Sequence, residues 1–434
     1  MTWDGPRLPA APSSRQVPRL SQPGFSAREL PRWPLTIVFI GVPIWWVTGI
    51  GDFILPIAAA VMTALLVRRG RVEVPPGFGL WLLFLVWMVF SVIEIDSGGR
   101  LLGFVYRAAI YAAVTVILLY VFNGRARLTG TYLAGMLTGY WVLVVFGGYL
   151  GVLVPLFSVT TPLAQVLPSG LLDNELVREM AFRRVTQFDP DSFFALDARP
   201  SAPFLYTNGW GNAYSLLLPV VVAYLGMVRG SRRFWWILAA IPISFVPAFL
   251  TLNRGMFIGL GLALAYGILR LALRGRVRAV AALVGILAIV AGVFVALPAQ
   301  ERLSERLDVS ATTETRYALY QEAVDRTLES PLFGYGAPRP SESPGSPSVG
   351  TQGQVWTVLF SHGIPGLLFY LSWLVWAFVR TRRYSSGLGL AFNTILLLII
   401  IEGVYYGVLT TGLPLAMIAA GYALRPPQQT EGVT

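Results

Sequence analysis

The chain of 434 residues is 55% apolar and only 13% charged, with a mean hydropathy of +0.64 and a formal charge of +11, a balance that excludes an ordinary soluble domain. It has no cysteine, no lysine and a single histidine, His362, which excludes a disulfide framework, a thiolate or paired-histidine zinc centre and a Walker A ATPase. The positive charge sits on short connections between apolar runs, where it suits an anionic membrane leaflet, so a membrane-lipid partner and no nucleic acid are expected.

Residues 1–33, rich in Pro and Arg and without an apolar stretch, are expected to form a disordered cytoplasmic tail and not a cleaved leader. Twelve apolar segments follow, at 35–50, 53–67, 77–95, 101–122, 131–155, 204–228, 234–251, 255–273, 279–297, 354–379, 388–407 and 411–424. Most approach the roughly 20 residues that cross about 30 Å of hydrocarbon, whereas the first pair and the last are short enough to tilt or to form re-entrant hairpins. The expected fold is all-α: a polytopic integral membrane helical bundle of about 12 transmembrane helices with a partly helical large outer loop. Residues 34–425 make one transmembrane domain, and 426–434 a second cytoplasmic tail.

Sidedness follows from arginine. Arg68, Arg69, Arg71, Arg125, Arg127, Arg229, Arg232, Arg233, Arg270, Arg274, Arg276, Arg278, Arg380, Arg382 and Arg383 occupy every second connection, which the positive-inside rule assigns to the cytoplasm together with both termini. The acids Asp173, Glu175, Asp189, Asp191, Glu301, Glu305 and Glu322 fall on the alternate side, so the long loops 156–203 and 298–353 are expected outside a cytoplasmic (inner) membrane.

Taken along the chain, the polar positions at outer helix ends are the informative ones. Arg107 and Glu402 stand within apolar spans, where a charge faces a cavity or a partner; they could pair with each other or contact a substrate. Asp189-Pro190-Asp191 has the spacing of a divalent-cation element, but an acidic loop produces that pattern by chance, and no metal or cofactor is expected. Arg254, between Asn253 and Gly255 at the outer mouth of two spans, reads as an anion binder, against the plainer reading of a side chain that snorkels to the headgroups. Gly259, Gly261 and Gly267 lie inside a span and suit close helix packing, not nucleotide binding.

Arg316 opens an amphipathic helix over 314–329 whose apolar stripe is expected at Tyr317, Tyr320, Val324 and Leu328, with Glu322 and Arg326 pairing at i,i+4. The turn Pro331 to Gly336 ends it, and 337–350, dense in Pro, Ser and Gly, reads as a mobile flap over an outer cavity.

Four stretches then occur in an order that resembles the O-antigen ligase and O-antigen polymerase superfamily of membrane glycosyltransferases. They are Thr207-Asn208-Gly209-Trp210-Gly211-Asn212-Ala213, Thr251-Leu252-Asn253-Arg254-Gly255, Arg316 with the Pro331-to-Gly336 turn, and Gly363-Ile364-Pro365-Gly366. The resemblance implies a glycan donor on a polyprenyl diphosphate, a glycan or lipid acceptor, and Arg254 and Arg316 as the clamp on the diphosphate, which a guanidinium neutralises without a metal. Transfer from an α-linked donor would then invert configuration. The family's ligases place a histidine where this chain has Gln352, and an amide cannot act as a base. That departure leans the reading toward a polymerase-like or extracellular-polysaccharide transferase. Arg254, Arg316 and Gln352 are therefore the expected catalytic positions, with Arg107, Asn212, Tyr317, His362 and Glu402 as expected substrate contacts. The rival class is a transporter of lipid-linked glycan or polysaccharide; the scarcity of polar residues in the inner halves of the spans weighs against it.

Overall fold

The computed structural model describes residues 1, 29–172, 175–187, 198–296, 312–343, 346–384 and 387–426. Most of the N-terminal tail, Asp173, the Asp189-Pro190-Asp191 element, Glu301, Glu305 and nearly all of the C-terminal tail lie outside the described residues.

The protein is an all-α bundle, and each of the twelve apolar segments coincides with helix. Lipid offers no hydrogen bonds to the backbone, so a run of apolar residues folds in the one local form that satisfies itself. Among the described residues, six helices are long and apolar enough to cross a bilayer by themselves: Gly98–Asn123, Gly130–Leu153, Thr207–Met227, Arg232–Leu250, Arg254–Ala272 and Gln354–Thr381. Phe78–Glu94, Gly387–Glu402 and Gly412–Ala423 are shorter apolar helices. Exposed Ile44, Leu82, Val86, Leu102, Ile243 and Leu368 give the outer surface the apolar character that lipid requires.

Two boundaries differ from expectation. The first segment is broken into Trp33–Ile40 and Val42–Thr48, because Pro43 has no N–H to continue the ladder. The segment expected to run to 407 stops at Glu402; the turn after it carries Tyr405 and Tyr406, and the Tyr406 carbonyl accepts from Gln354 N at 2.8 Å.

Thr207–Met227 is the central helix, the most buried of the six, and it packs on Gly130–Leu153, Arg254–Ala272 and Gly387–Glu402. At one end the arginine-rich connections hold one another: Arg69 donates to Asn123 O at 2.8 Å, Arg125 pairs with Glu73 at 2.6 Å, and Arg383 and Arg425 donate to the carbonyls of Arg425 and Leu128. At the opposite end Arg183 pairs with Asp52, Arg339 with Asp96, and Arg199 donates to Thr251 O at 2.7 Å. Alternate connections thus meet at alternate ends.

The 156–203 loop contains two small antiparallel pairings that the sequence reading did not find, Ser158–Thr160 with Phe182–Arg184 and Thr186–Gln187 with Arg199–Pro200. Strands this short leave no alternation of apolar residues to read.

The helix in the second loop, Thr312–Glu329, forms as expected, and Arg326 pairs with Glu322 at 3.1 Å. Its packed face is a different one. Leu319, Ala323 and Thr327 are buried and Tyr320 stacks on Trp356, whereas Tyr317, Val324 and Leu328 are exposed. Leu319 and Ala323 meet Tyr335, Val349 and Phe360, where small Ala323 permits close approach to the neighbouring helix.

The expected flap is fastened. Arg339 pairs with Asp96 and lies 4.2 Å over the Tyr335 ring, Ser341 donates to Glu322 at 2.6 Å, and Val349 N donates to Arg339 O at 2.8 Å. Beneath it the Pro331-to-Gly336 turn docks on the long Gln354–Thr381 helix. Tyr335 N and Gly336 N donate to the carbonyls of Phe360 and Ser361, and Pro331 O accepts from Ile364 N at 2.9 Å. Those carbonyls are free because the helix is interrupted at Gly363, whose φ of 69° and ψ of −174° only glycine adopts readily.

Candidate functional site

A cavity of about 1420 Å³ opens at the loop end of the bundle. Its polar part is lined by Asn208, Gly209, Asn253, Arg254, Arg316, Gln352, Tyr405 and Tyr406, together with Asp52 and, from the 156–203 loop, Glu179, Arg183 and Arg199. Its apolar part descends along Val38, Phe39, Val42, Trp45, Ile54, Leu55 and Tyr140. Among the described residues, none from the arginine-rich connections lines it.

Arg254 is the first residue of its helix and is placed there by a sharp turn. Leu252 takes a positive φ of 51°, a conformation that costs a non-glycine residue of order 1 kcal/mol and is held only where the surroundings impose it. Asn253, the residue before the helix, makes no capping bond: its side-chain oxygen accepts from Tyr406 and its amide donates to Thr207 O at 3.2 Å. No side chain caps the first turn, and Asn253, Arg254 and Gly255 line the cavity, where the helix dipole adds partial positive charge to that of Arg254. Arg316 reaches the same cavity from the loop helix, and neither arginine forms an ion pair among the described residues. Two guanidiniums on independent elements thus face one cavity beside a helix N-terminus without a side-chain cap, an arrangement whose chemistry suits an anion.

Arg254, Arg316 and Gln352 thus meet at one cavity, and the remaining expected contacts do not line it. Arg107 donates to Gly103 O at 3.1 Å, and no ion pair joins it to Glu402 among the described residues. Tyr317 is exposed on the far face of its helix, accepting from Gln321 at 3.2 Å. His362 is buried, its Nδ1 and Ser91 Oγ 2.8 Å apart and its carbonyl accepting from Trp87, in an aromatic cluster with Phe84 and Phe104. It is a packing residue at the helix break.

Asn212 and Glu402 are fully buried under the cavity. Asn212 Nδ2 donates to Glu402 Oε2 at 2.7 Å, and Asn212 Oδ1 accepts from Thr411, which does line the cavity. Glu402 Oε1 has no hydrogen-bond partner among the described residues and lies against Gly259, where a methyl group would overlap it. Gly259 thus makes room for a buried carboxylate, and the pair supports the cavity floor. Asn208, one helical turn earlier than Asn212, is the residue of that motif that faces the cavity.

Asp52, Glu179, Arg183, Arg199, Tyr405 and Tyr406 were not found from sequence. Arg183 is 3% exposed and paired with Asp52, 131 residues earlier; no local pattern links them. Among the described residues no group of three or more His, Asp or Glu side chains is placed to hold a metal ion.

Residues 238–371 match the family model described as O-antigen ligase. That segment contains Thr251 to Gly255, Arg316, the Pro331-to-Gly336 turn and Gly363 to Gly366, while Thr207 to Ala213 precedes it. No curated protein and no solved structure matches the chain.

Proposed function

We propose that the chain, whose residues 238–371 match the O-antigen ligase family model, belongs to the O-antigen ligase and O-antigen polymerase superfamily and transfers or polymerises glycan from a polyprenyl diphosphate carrier on the outer face of a cytoplasmic membrane. The observation that supports this most is the convergence of Arg254 and Arg316, without ion-pair partners among the described residues, on a cavity with an apolar extension. The diphosphate sits between the guanidiniums and the N-terminus of the Arg254–Ala272 helix, and the prenyl chain follows Val38, Phe39, Ile54 and Leu55. As the anomeric C–O bond breaks, negative charge builds on the leaving diphosphate, and fixed donors stabilise it more than they stabilise the bound donor. The acceptor hydroxyl attacks from the opposite face, with inversion, and no metal is needed. The glycan ends as cell-surface or extracellular polysaccharide.

The test is purified protein in liposomes with a glycan-loaded polyprenyl diphosphate and a glycan acceptor. Release of free polyprenyl diphosphate with a lengthened acceptor supports transfer, and a ladder of products identifies a polymerase. Movement of the intact lipid-linked glycan between leaflets without release would make the chain a transporter instead.

A further inference from the structure

At the arginine-rich end of the bundle, opposite the large cavity, a depression of about 700 Å³ lies between the ends of the Arg254–Ala272 and Gln354–Thr381 helices. Arg270, Arg380, Arg382 and Arg383 line it, and among the described residues no acidic side chain does. Arg270 is held there by neutral groups. Its Nη1 donates to the Tyr266 hydroxyl and its Nη2 to the carbonyls of Arg382 and Tyr384, the latter at 2.9 Å, while its guanidinium carbon lies 5.4 Å over the Tyr266 ring. Tyr266 in turn donates to Asn393, whose amide donates to Phe378 O and Thr381 Oγ1, both at 2.8 Å. This frame fixes the turn after the long helix and brings no negative charge to Arg270.

The other three arginines are no better compensated. Arg383 donates to the carbonyls of Ala423 and Arg425 at 3.3 and 3.1 Å. Arg380 and Arg382 are exposed, and neither side chain forms a hydrogen bond or ion pair among the described residues. Like charges gathered around one depression repel, and an anion seated among them reverses the sign of that energy. The walls indicate which anion. Phe378 and Val379 complete the lining, and Val379 is exposed together with Val375, one helical turn further into the span. Leu269 and Leu273 at the end of the neighbouring helix are exposed as well. Aliphatic side chains that lead from a basic depression into hydrocarbon suit acyl chains, which a free phosphate lacks.

We propose that this depression binds the headgroup of an anionic phospholipid, its phosphate among Arg270, Arg380 and Arg382 and its acyl chains along Val375, Val379 and Leu269. The bound lipid ties together two helix ends whose arginines otherwise repel. The site is independent of the transferase chemistry and requires only a chain that spans a membrane. Arg274 and Arg276 belong to the same end of the bundle and are exposed, but do not line the depression, so they separate a built site from general attraction to an anionic surface.

The experiment takes the full-length protein in detergent micelles and reads, by native mass spectrometry, the dissociation constant of the first phosphatidylglycerol bound, beside phosphatidylcholine with the same chains. Wild type is expected to hold phosphatidylglycerol more tightly than phosphatidylcholine. The double variant Arg380→Gln, Arg382→Gln should weaken phosphatidylglycerol about 30-fold, at roughly fivefold per guanidinium, and Arg274→Gln, Arg276→Gln should leave it unchanged. Because the side chains of Arg380 and Arg382 hold no part of the frame, the first double variant keeps the wild-type melting midpoint in lipid-free micelles. Equal affinity of wild type for the two lipids would overturn the phospholipid site without recourse to any variant. Wild-type affinity in the first double variant, or equal losses in both, would also overturn it, the latter by reducing the effect to the net charge of that end. Displacement of phosphatidylglycerol by excess sn-glycerol 3-phosphate would show that the depression takes a soluble phosphate, and would overturn the assignment to a lipid.

Discussion

Replacing Gly363 by alanine tests whether the Gly-x-x-Gly motif is a latch between loop and helix. A residue with a side chain at φ 69° and ψ −174° carries roughly 1–3 kcal/mol of backbone strain. The new methyl group would also overlap the carbonyls of Leu332 and Pro331. The strain is relieved if the Pro331-to-Gly336 turn lifts off, which breaks the bonds of Tyr335 N, Gly336 N and Ile364 N, each worth about 1 kcal/mol. Both routes cost about 3 kcal/mol, so the loop opens locally while the bundle stays folded. Converted at 1.4 kcal/mol per factor of ten, that raises the open population roughly 10²-fold. Hydrogen exchange at Tyr335 N and Gly336 N reports it directly, because these amides are bonded only while the turn is docked and their exchange follows the open population when closing is fast. Exchange at both amides should accelerate by that factor in Gly363→Ala. An unchanged rate in a folded variant would show that the motif does not latch the loop.

Three further outcomes follow from the same contacts. Asp52→Ala leaves Arg183 buried without its partner and should cost about 3 kcal/mol, whereas Asp52→Ala with Arg183→Met recovers most of it; thermal melts of the two variants decide. The hydrogen bond from Arg100, aided by the charges of Arg100 and Arg339, holds the Asp96 carboxyl below its ordinary value of 3.8. Its support of the loop is therefore complete above that value and lost as pH falls through the lower folded-state value, so hydrogen exchange at Val349 N should accelerate only under strongly acidic conditions. Because the chain has no cysteine, a single Ser346→Cys or Arg382→Cys reports sidedness. An impermeant maleimide added outside intact cells should label the first and not the second, and the reverse pattern would invert the proposed topology.

The apolar segments and the arginine bias made the helices and the two ends of the bundle legible, since both depend on local composition. Rotation about a helix axis was harder to read. Asn208 and Asn212 look equivalent in sequence, yet Asn208 faces the cavity and Asn212 faces Glu402. Hydropathy placed the packed face of the loop helix on Tyr317, Tyr320, Val324 and Leu328, but of these Tyr320 packs, on Trp356, and the buried row is Leu319, Ala323 and Thr327, with small Ala323 fitting against Phe360 and Tyr335. Groups brought together over long separations, such as Arg183 with Asp52 and Asn253 with Tyr406, left no pattern to detect. Arg254 and Arg316 were visible because charged residues at helix ends away from the arginine-rich connections are few in so apolar a chain.

The most direct test of the central claim is the rate of polyprenyl diphosphate release by Arg254→Ala and Arg316→Ala, with Tyr317→Ala as the neighbour that faces away from the cavity. Loss of a preorganised donor to the leaving group costs roughly 10²–10³-fold in kcat, so both arginine variants should fall by that order while Tyr317→Ala stays near wild type. Wild-type rates in either folded arginine variant would contradict the diphosphate clamp and the function built on it.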